Sequence, residues 1–299
     1  MILIYISNYD IIRYKEKISA LKGGNMKSYE KYVEGVGKVE FVEFDSLHDF
    51  KNYIMNTLIN EVFTRSGKRS SVTESFKFTQ TNSFEEAMDL FTDGWTSMST
   101  DIDNKLSVGH GAMVNERAMQ KVLSVQGFQP VVPLYLSGVP QNMVSTRFKV
   151  MKKKVITIDK DVCYASRVKS EDIVKESVKA LAIVKKLESQ NYRVNLNVVF
   201  CPEAGDKKFC FKVKIKSSNE RLNIGKMSFP LVHPSMLRRL FLRLEEVHPT
   251  ITRGFTNAYG YPMLQSDVVK CFKDDFVLPR FIDVDINNIK SIDDLYKKE

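Results

Sequence analysis

Two short stretches place carboxylates where a sheet could use them. In ITIDKDVC an apolar run ends in Asp159 and Asp161, and FIDVDIN repeats the spacing with Asp283 and Asp285. If residues 155–158 form a parallel strand, the first pair sits just past its carboxyl end, where α/β sheets place ligands. Four carboxylates on two strand ends are a donor set for one or two magnesium ions, which take oxygen ligands and use few protein groups. The competing reading is two solvated strand ends. The second set is basic. Arg238, Arg239 and Arg243 fall on a helix whose inner stripe is Met236, Leu237, Leu240, Phe241 and Leu244. Arg239 and Arg243 are one turn apart and could reach neighbouring phosphates of a nucleic acid. Glu245 and Glu246 dilute that charge, so a solvated or internally salt-bridged face is the alternative.

The remaining chemistry-bearing residues form no familiar constellation. His48, His110, His233 and His248 share no spacing of a metal pair, and His233, followed by a proline, reads as a helix start. Cys163, Cys201, Cys210 and Cys271 include no CxxC pair and no histidine at zinc-ligand distance. They are expected to be reduced and structural. No serine sits in a G-x-S-x-G turn, and no phosphate-cradling glycine loop occurs; VGHGAM at 108–113 follows no strand. No cofactor is expected beyond magnesium at the aspartates.

These groups need elements to position them. Ser46 caps a helix over 45–59 with Leu47, Phe50, Ile54 and Leu58 inward, and Ser83 with Glu86 forms a capping box for a helix ending at Gly94. Trp95 follows, as a core anchor or a stacking platform. The basic, Ser-rich TRSGKRSSVTES at 64–75 reads as an exposed loop open to proteases. A helix is expected at 115–127, and FQPVVPLYLSGVPQNM reads as extended with a turn at Ser137-Gly138. From 150 onward the pattern is strand VITI, helix 170–190 capped by Ser170, strand 192–200, strand 208–216, helix 233–249, strand 275–283 and a short helix at 291–298. A strand-helix-strand crossover of that length makes a parallel unit.

The chain has 299 residues and a formal charge of +9, from 45 basic against 36 acidic residues. That excess favours an acidic partner without establishing one. MILIYIS lacks a basic start and reads as a first strand, not an export signal. No run approaches the roughly 20 apolar residues needed to span a membrane. The expectation is a cytoplasmic protein with no membrane contact.

FTQTNSFEEAMDLFTDGW, VVPLYLSGVPQNM, the 164–196 strand-helix-strand and VHPSMLRRLFLRLEE occur in this order in an uncharacterised family of bacteriophage-encoded proteins, which the chain resembles over roughly residues 75–250. The resemblance implies a phage or prophage origin and brings no catalytic residues. The chain is more loosely similar to von Willebrand factor A-type domains, where Asp159, Asp161 and Cys163 stand at the Asp-x-Ser-x-Ser positions; the two changed positions depart from that magnesium motif. The Asp-x-Asp is also similar to haloacid-dehalogenase-type phosphatases, but Cys163 replaces the Thr or Val wanted there, and Asp274-Asp275 precede a strand instead of following one.

The expected fold is α/β: a twisted, partly parallel open sheet with covering helices in 150–299, A-domain-like, and a smaller, mostly helical part in 1–149. The expected function is a non-enzymatic interaction or adaptor protein that binds a host or phage protein. The alternative is a nucleic-acid-associated protein, such as a magnesium-dependent nuclease or phosphatase.

Overall fold

A computed structural model describes residues 26–95, 119–148, 154–190, 192–256 and 259–284. MILIYIS, VGHGAM, Asp285 and the helix expected at 291–298 lie outside the described residues. The chain groups into two compact units, 1–108 with 155–299, and 109–154.

The large unit begins with an antiparallel hairpin of β1 (Met26–Val33) and β2 (Gly37–Phe44), which the sequence reading passed over. The signal was present in KYVEGVGKVEFVEF: alternating residues flank a turn whose Gly35 and Gly37 take φ of 72° and 101°. Helix α1 (Leu47–Asn56) starts where Ser46 Oγ accepts the Asp49 amide at 3.1 Å. Its Phe50 and Ile54 are buried, while Leu58 lies beyond the helix end and is exposed.

The loop expected at 64–75 is instead largely helical. α2 (Glu61–Ser66), α3 (Ser70–Thr73) and α4 (Phe76–Thr79) follow one another, and Gly67 at φ 68° ends the first of them. Ser70 and Ser71 are buried. Both amides and the Ser71 hydroxyl make interior hydrogen bonds, to Tyr259 and Glu246, which is why a polar composition misled here. Helix α5 (Phe84–Asp93) has the expected cap, Ser83 Oγ accepting the Glu86 amide at 3.0 Å, with Phe84, Ala87, Met88 and Phe91 buried. The Glu86 carboxylate reaches back to the Asn82 amide, completing the box one residue early.

The small unit is a three-stranded antiparallel sheet, with β3 (Met119–Ser124) and β4 (Gln129–Pro130) on either side of β5 (Met143–Phe148). The helix expected at 115–127 is thus a strand from Met119 to Ser124. Six residue pairs with β5 outweigh the weak helix propensity of that stretch. The turn at Ser137-Gly138 is present, with Gly138 at φ 72°. A single-turn helix α6 (Val132–Leu136) precedes it where extended chain was expected, and Pro133 fits its first turn.

Back in the large unit come β6 (Lys154–Asp161), α7 (Ser170–Ser189), β7 (Tyr192–Phe200), β8 (Pro202–Ala204) and β9 (Lys207–Lys216). Helix α8 (Ile224–Val232) leads to a π-helical segment, Met236–Phe241, that continues into α9 (Leu242–Val247). Last are β10 (Tyr261–Pro262), α10 (Gln265–Cys271) and β11 (Phe276–Leu278). The main path of the sheet runs β1-β2-β9-β7-β6-β11, with β8 and β10 to the side. β2 is parallel to β9 and β11 to β6, while β7 is antiparallel to β9. Asn195 meets Thr157 and Asn197 meets Asp159, a constant offset that makes β7 parallel to β6, as the crossover through α7 requires.

The fold is therefore α/β with a mixed, partly parallel sheet. A boundary at 149/150 would separate β2 from β9, yet these strands pair from Glu40↔Phe209 to Phe44↔Val213. The first and last segments share one sheet. Phe44, Phe50, Phe91 and Phe241 form part of the main core on one face, with ring centroids of neighbouring pairs 5.4–5.9 Å apart. A second core of Phe41, Cys210, Met263, Val268 and Phe272 fills under α10.

Candidate functional site

β6 extends to Asp161, so Asp159 and Asp161 are strand residues with no exposed surface, not solvated strand ends. Being two apart, they face the same side of the sheet. Lys212 Nζ on β9 lies 2.9 Å from Asp159 Oδ2 and 2.6 Å from Asp275 Oδ2, and Asn197 Nδ2 donates to Asp159 Oδ1 at 2.6 Å. Arg280 Nε is 3.3 Å from Asp161 Oδ2, and the Cys163 amide donates to Asp161 Oδ1 at 2.9 Å. Burial raises the Asp159 carboxyl to about 6 against the pull of Lys212, and it raises Asp161 against the pull of Arg280. Asp283 is exposed, and Asp285 lies outside the described residues. Asp159, Asp161 and Asp283, the three expected magnesium ligands among the described residues, are therefore not gathered at one site. Asp159 and Asp161 are neutralised by the chain's own cations, and among the described residues no group of three or more His, Cys, Asp or Glu is placed to hold a metal ion.

Between them Lys160 points to the opposite face and is also fully buried. Its Nζ donates to the carbonyls of Pro279 at 2.6 Å and Arg280 at 3.0 Å and to Tyr164 Oη at 3.2 Å. Tyr164 Oη donates in turn to the Arg280 carbonyl at 2.8 Å. Burial lowers the amine to about 7. This clasp ties the end of β6 to the chain leaving β11. The sequence reading missed it; the signal was a lysine inside an apolar strand.

The arginine helix is likewise turned inward. Arg238 is 3% exposed and donates to the Phe78 carbonyl at 2.7 Å, to Ser170 Oγ at 3.0 Å and to the Val168 carbonyl. Its guanidinium stacks 3.9 Å above the Phe78 ring. Ser170 is thus the first residue of α7 and not its cap; its hydroxyl donates to the Phe78 carbonyl at 3.1 Å. Arg239 has no exposed surface and holds the carbonyls of Ser71, Val72, Glu74 and Thr81 and the Thr81 hydroxyl, at 2.6–3.2 Å. Arg243 lies 3.5 Å from Glu246 Oε2. Glu246 also accepts from the Ser71 amide at 3.0 Å and from Tyr259 Oη at 2.7 Å. The phosphate-reaching arrangement expected for Arg238, Arg239 and Arg243 does not occur. Their charge organises the α2–α4 segment, as the internally bonded alternative had it. Glu245 is buried with neither carboxylate oxygen hydrogen-bonded among the described residues, and burial pushes its carboxyl well above the usual range.

His233 precedes Pro234 at the start of this helix, and its Nδ1 accepts the Ser235 amide at 3.0 Å. Its ring lies 4.8 Å from that of Phe229 and 4.6 Å from that of Trp95, so Trp95 anchors the core. All four cysteines are buried free thiols, and Cys201 and Cys210 sit opposite each other between the pairs Phe200↔Phe211 and Glu203↔Lys208.

The small unit presents the reverse arrangement. Val125, Phe128, Val132, Tyr135 and Leu136 are exposed, Leu136 to 78%. Between 119 and 148 the charged residues are Lys121 and Arg147 alone. No described side chain of this unit is buried.

A family model matches residues 18–298, and the chain belongs to that family, whose description is Domain of unknown function (DUF7192). No curated protein and no solved structure matches the chain. No helix among the described residues is long and apolar enough to cross a membrane.

Proposed function

Taking membership of a family without an assigned activity as the premise, we propose that the protein is a non-enzymatic adaptor whose small unit docks on a host or phage protein. The observation that carries this reading is the apolar surface of residues 119–148. None of the described side chains of this sheet is buried, and several exposed apolar residues with so little charge among them suit a protein contact. The phage setting, and with it the host-cell cytoplasm, rests on the resemblance of the quoted sequence blocks. The nucleic-acid alternative retains the net charge of +9 as support, but two of its three arginines are buried.

The test is affinity capture from phage-infected, nuclease-treated cells, with the parent and with a Phe128→Ser, Tyr135→Ser, Leu136→Ser variant. The expected result is one protein partner in stoichiometric amount with the parent and its loss with the variant. Equal capture by both chains, or a complex that dissolves entirely on nuclease treatment, overturns the proposal.

A further inference from the structure

The second core of the large unit gathers three of the four thiols, well apart in sequence from the docking surface proposed above. Cys201 and Cys210 stand opposite each other on neighbouring strands and therefore face the same side of the sheet. Opposed antiparallel residues have Cα atoms about 4.5–5.5 Å apart, within the usual span of a disulfide. The end of α10 lies on that same side. Phe41 of β2 pairs with Cys210, and its ring centroid is 6.0 Å from that of Phe272. Lys212, two residues along β9 from Cys210, places its Nζ 5.3 Å from the centre of the Phe272 ring. Cys271, the last residue of α10, joins Cys201 and Cys210 in this core. The Cys210 thiol is within hydrogen-bonding reach of both others.

The three thiols are not equivalent. Cys201 and Cys210 have no exposed surface, whereas Cys271 is 7% exposed. Burial pushes the Cys201 and Cys210 thiols up, which keeps them protonated and slow to react. Cys271 is shifted the other way. The hydrogen bond that Cys210 donates lowers it, against burial and Asp267, and the charges of Lys208 and Lys31 act in the same direction as that bond. A cleft of about 590 Å³ lies between the β1–β2 turn and the end of α10, with Lys31, Lys270 and Lys273 among its walls. It gives a small polar oxidant an approach to the helix end. A thiol with thiolate character, positive neighbours and a second thiol beside it has the surroundings of an oxidation site.

We propose that Cys271 is a site of oxidation by peroxide and that Cys210 resolves it, giving a reversible Cys210–Cys271 disulfide. The Cys271 thiolate attacks one oxygen of hydrogen peroxide and the O–O bond breaks. Hydroxide leaves, takes up the proton that Cys271 had released and becomes water; Cys271 is now a sulfenic acid. The Cys210 sulfur then attacks the Cys271 sulfur, the S–O bond breaks, and the hydroxyl departs with the Cys210 proton as a second water. Two electrons pass from the pair of thiols to the peroxide, and a dithiol reductant restores them. Cys163, buried in the main core, stands outside this chemistry.

Peptide mapping of the full chain tests this, after treatment with hydrogen peroxide under native conditions and alkylation of the remaining thiols in denaturant. The expected result is a single Cys210–Cys271 bridge, with Cys163 and Cys201 alkylated and all four thiols recovered after dithiothreitol. Cys271 is expected to be modified at least about tenfold faster than Cys163. Cys210→Ser is expected to stop at the Cys271 sulfenic acid, captured by dimedone. Cys271→Ser is expected to keep its remaining thiols at the same dose, both variants having the circular dichroism spectrum of the parent. Four free thiols in the parent, at a dose that fully oxidises free cysteine, overturn the proposal. A Cys201–Cys210 bridge in its place also overturns it, as does a Cys210–Cys271 bridge that forms only in urea. Cys271 oxidised beyond the sulfenic acid in the parent, without a bridge, overturns the role of Cys210. The parent alone supplies these outcomes, so they hold even where a serine variant fails to fold.

Discussion

The helical run from Met236 to Val247 and the sheet of residues 119–148 divide charge and apolar surface in opposite ways. The first buries Arg238, Arg239, Glu245 and Glu246 inside the large unit. The second leaves Phe128, Tyr135 and Leu136 exposed. The difference teaches that side-chain polarity does not settle which way a side chain faces. Arg239 can be interior because five acceptors surround its guanidinium; without them a buried cation would be untenable. The apolar side chains of the small unit remain outside because thirty residues do not enclose a core.

The largest test of this contrast is Arg239→Leu. It leaves the carbonyls of Ser71, Val72, Glu74 and Thr81 without their shared donor, and the expected loss is about 3–5 kcal/mol in urea unfolding. The triple change of Arg238, Arg239 and Arg243 to Gln, harmless on a solvated face, is expected to lose at least as much. A variant within about 1 kcal/mol of the parent would mean that the network contributes little.

His233 sharpens the comparison through pH. Burial lowers it from 6.5 to about 4, and its acceptor role toward the Ser235 amide requires the neutral ring. The unfolded chain therefore binds the extra proton between those values, so this contribution is complete above pH 6.5 and is lost as pH falls toward 4. Its size is about 3 kcal/mol. Asp159, raised to about 6, acts in the opposite sense between 3.8 and 6. The difference between the parent and His233→Asn, in which the amide oxygen can take over as acceptor, isolates the histidine. A parent and variant with parallel stability-pH curves would remove it from the account.

Glu245→Met is expected to stabilise. The carboxyl has no hydrogen-bond partner among the described residues, and an unbranched apolar side chain of similar volume relieves that cost, by about 1–3 kcal/mol in denaturant unfolding. Destabilisation by the same amount would show that Glu245 has a partner the protein depends on.

The smallest expected effect lies in the small unit. Leu136→Ser and Tyr135→Ser are each expected to change stability by no more than about 0.5 kcal/mol, because their side chains contribute little to the interior. A loss of several times that size would assign these residues to a core of the chain itself, and the proposed docking surface would fall with it.

Much of the fold was legible in local signals. Ser46, Ser83 and Pro234 marked helix starts that the structure retains, and the 3.6-residue stripe of 170–189 with strands on either side marked the parallel unit. The β1–β2 hairpin was equally legible in its glycines and alternation. β3 was not, because Met119–Ser124 becomes a strand through pairing with β5, and that partner lies about twenty residues onward. The candidate site was harder still. Asp159 and Asp161 were expected just past the end of a strand and are instead buried within its last residues, and their cations, Lys212 and Arg280, lie about fifty and more than a hundred residues away.

By itself the sequence determined the caps of α1 and α5, the turn at Ser137-Gly138, the α/β class and the strand-helix-strand unit, because each depends on residues within a few positions of one another. Only the tertiary structure decided which charges are interior. Desolvation and pairing belong to whatever the chain brings alongside a group, and for Asp159, Lys160, Arg239 and Glu246 those neighbours come from distant segments. It also decided that Cys201, Cys210 and Cys271 share one core. A cluster of thiols is a relation between separate elements, and no local pattern encodes it.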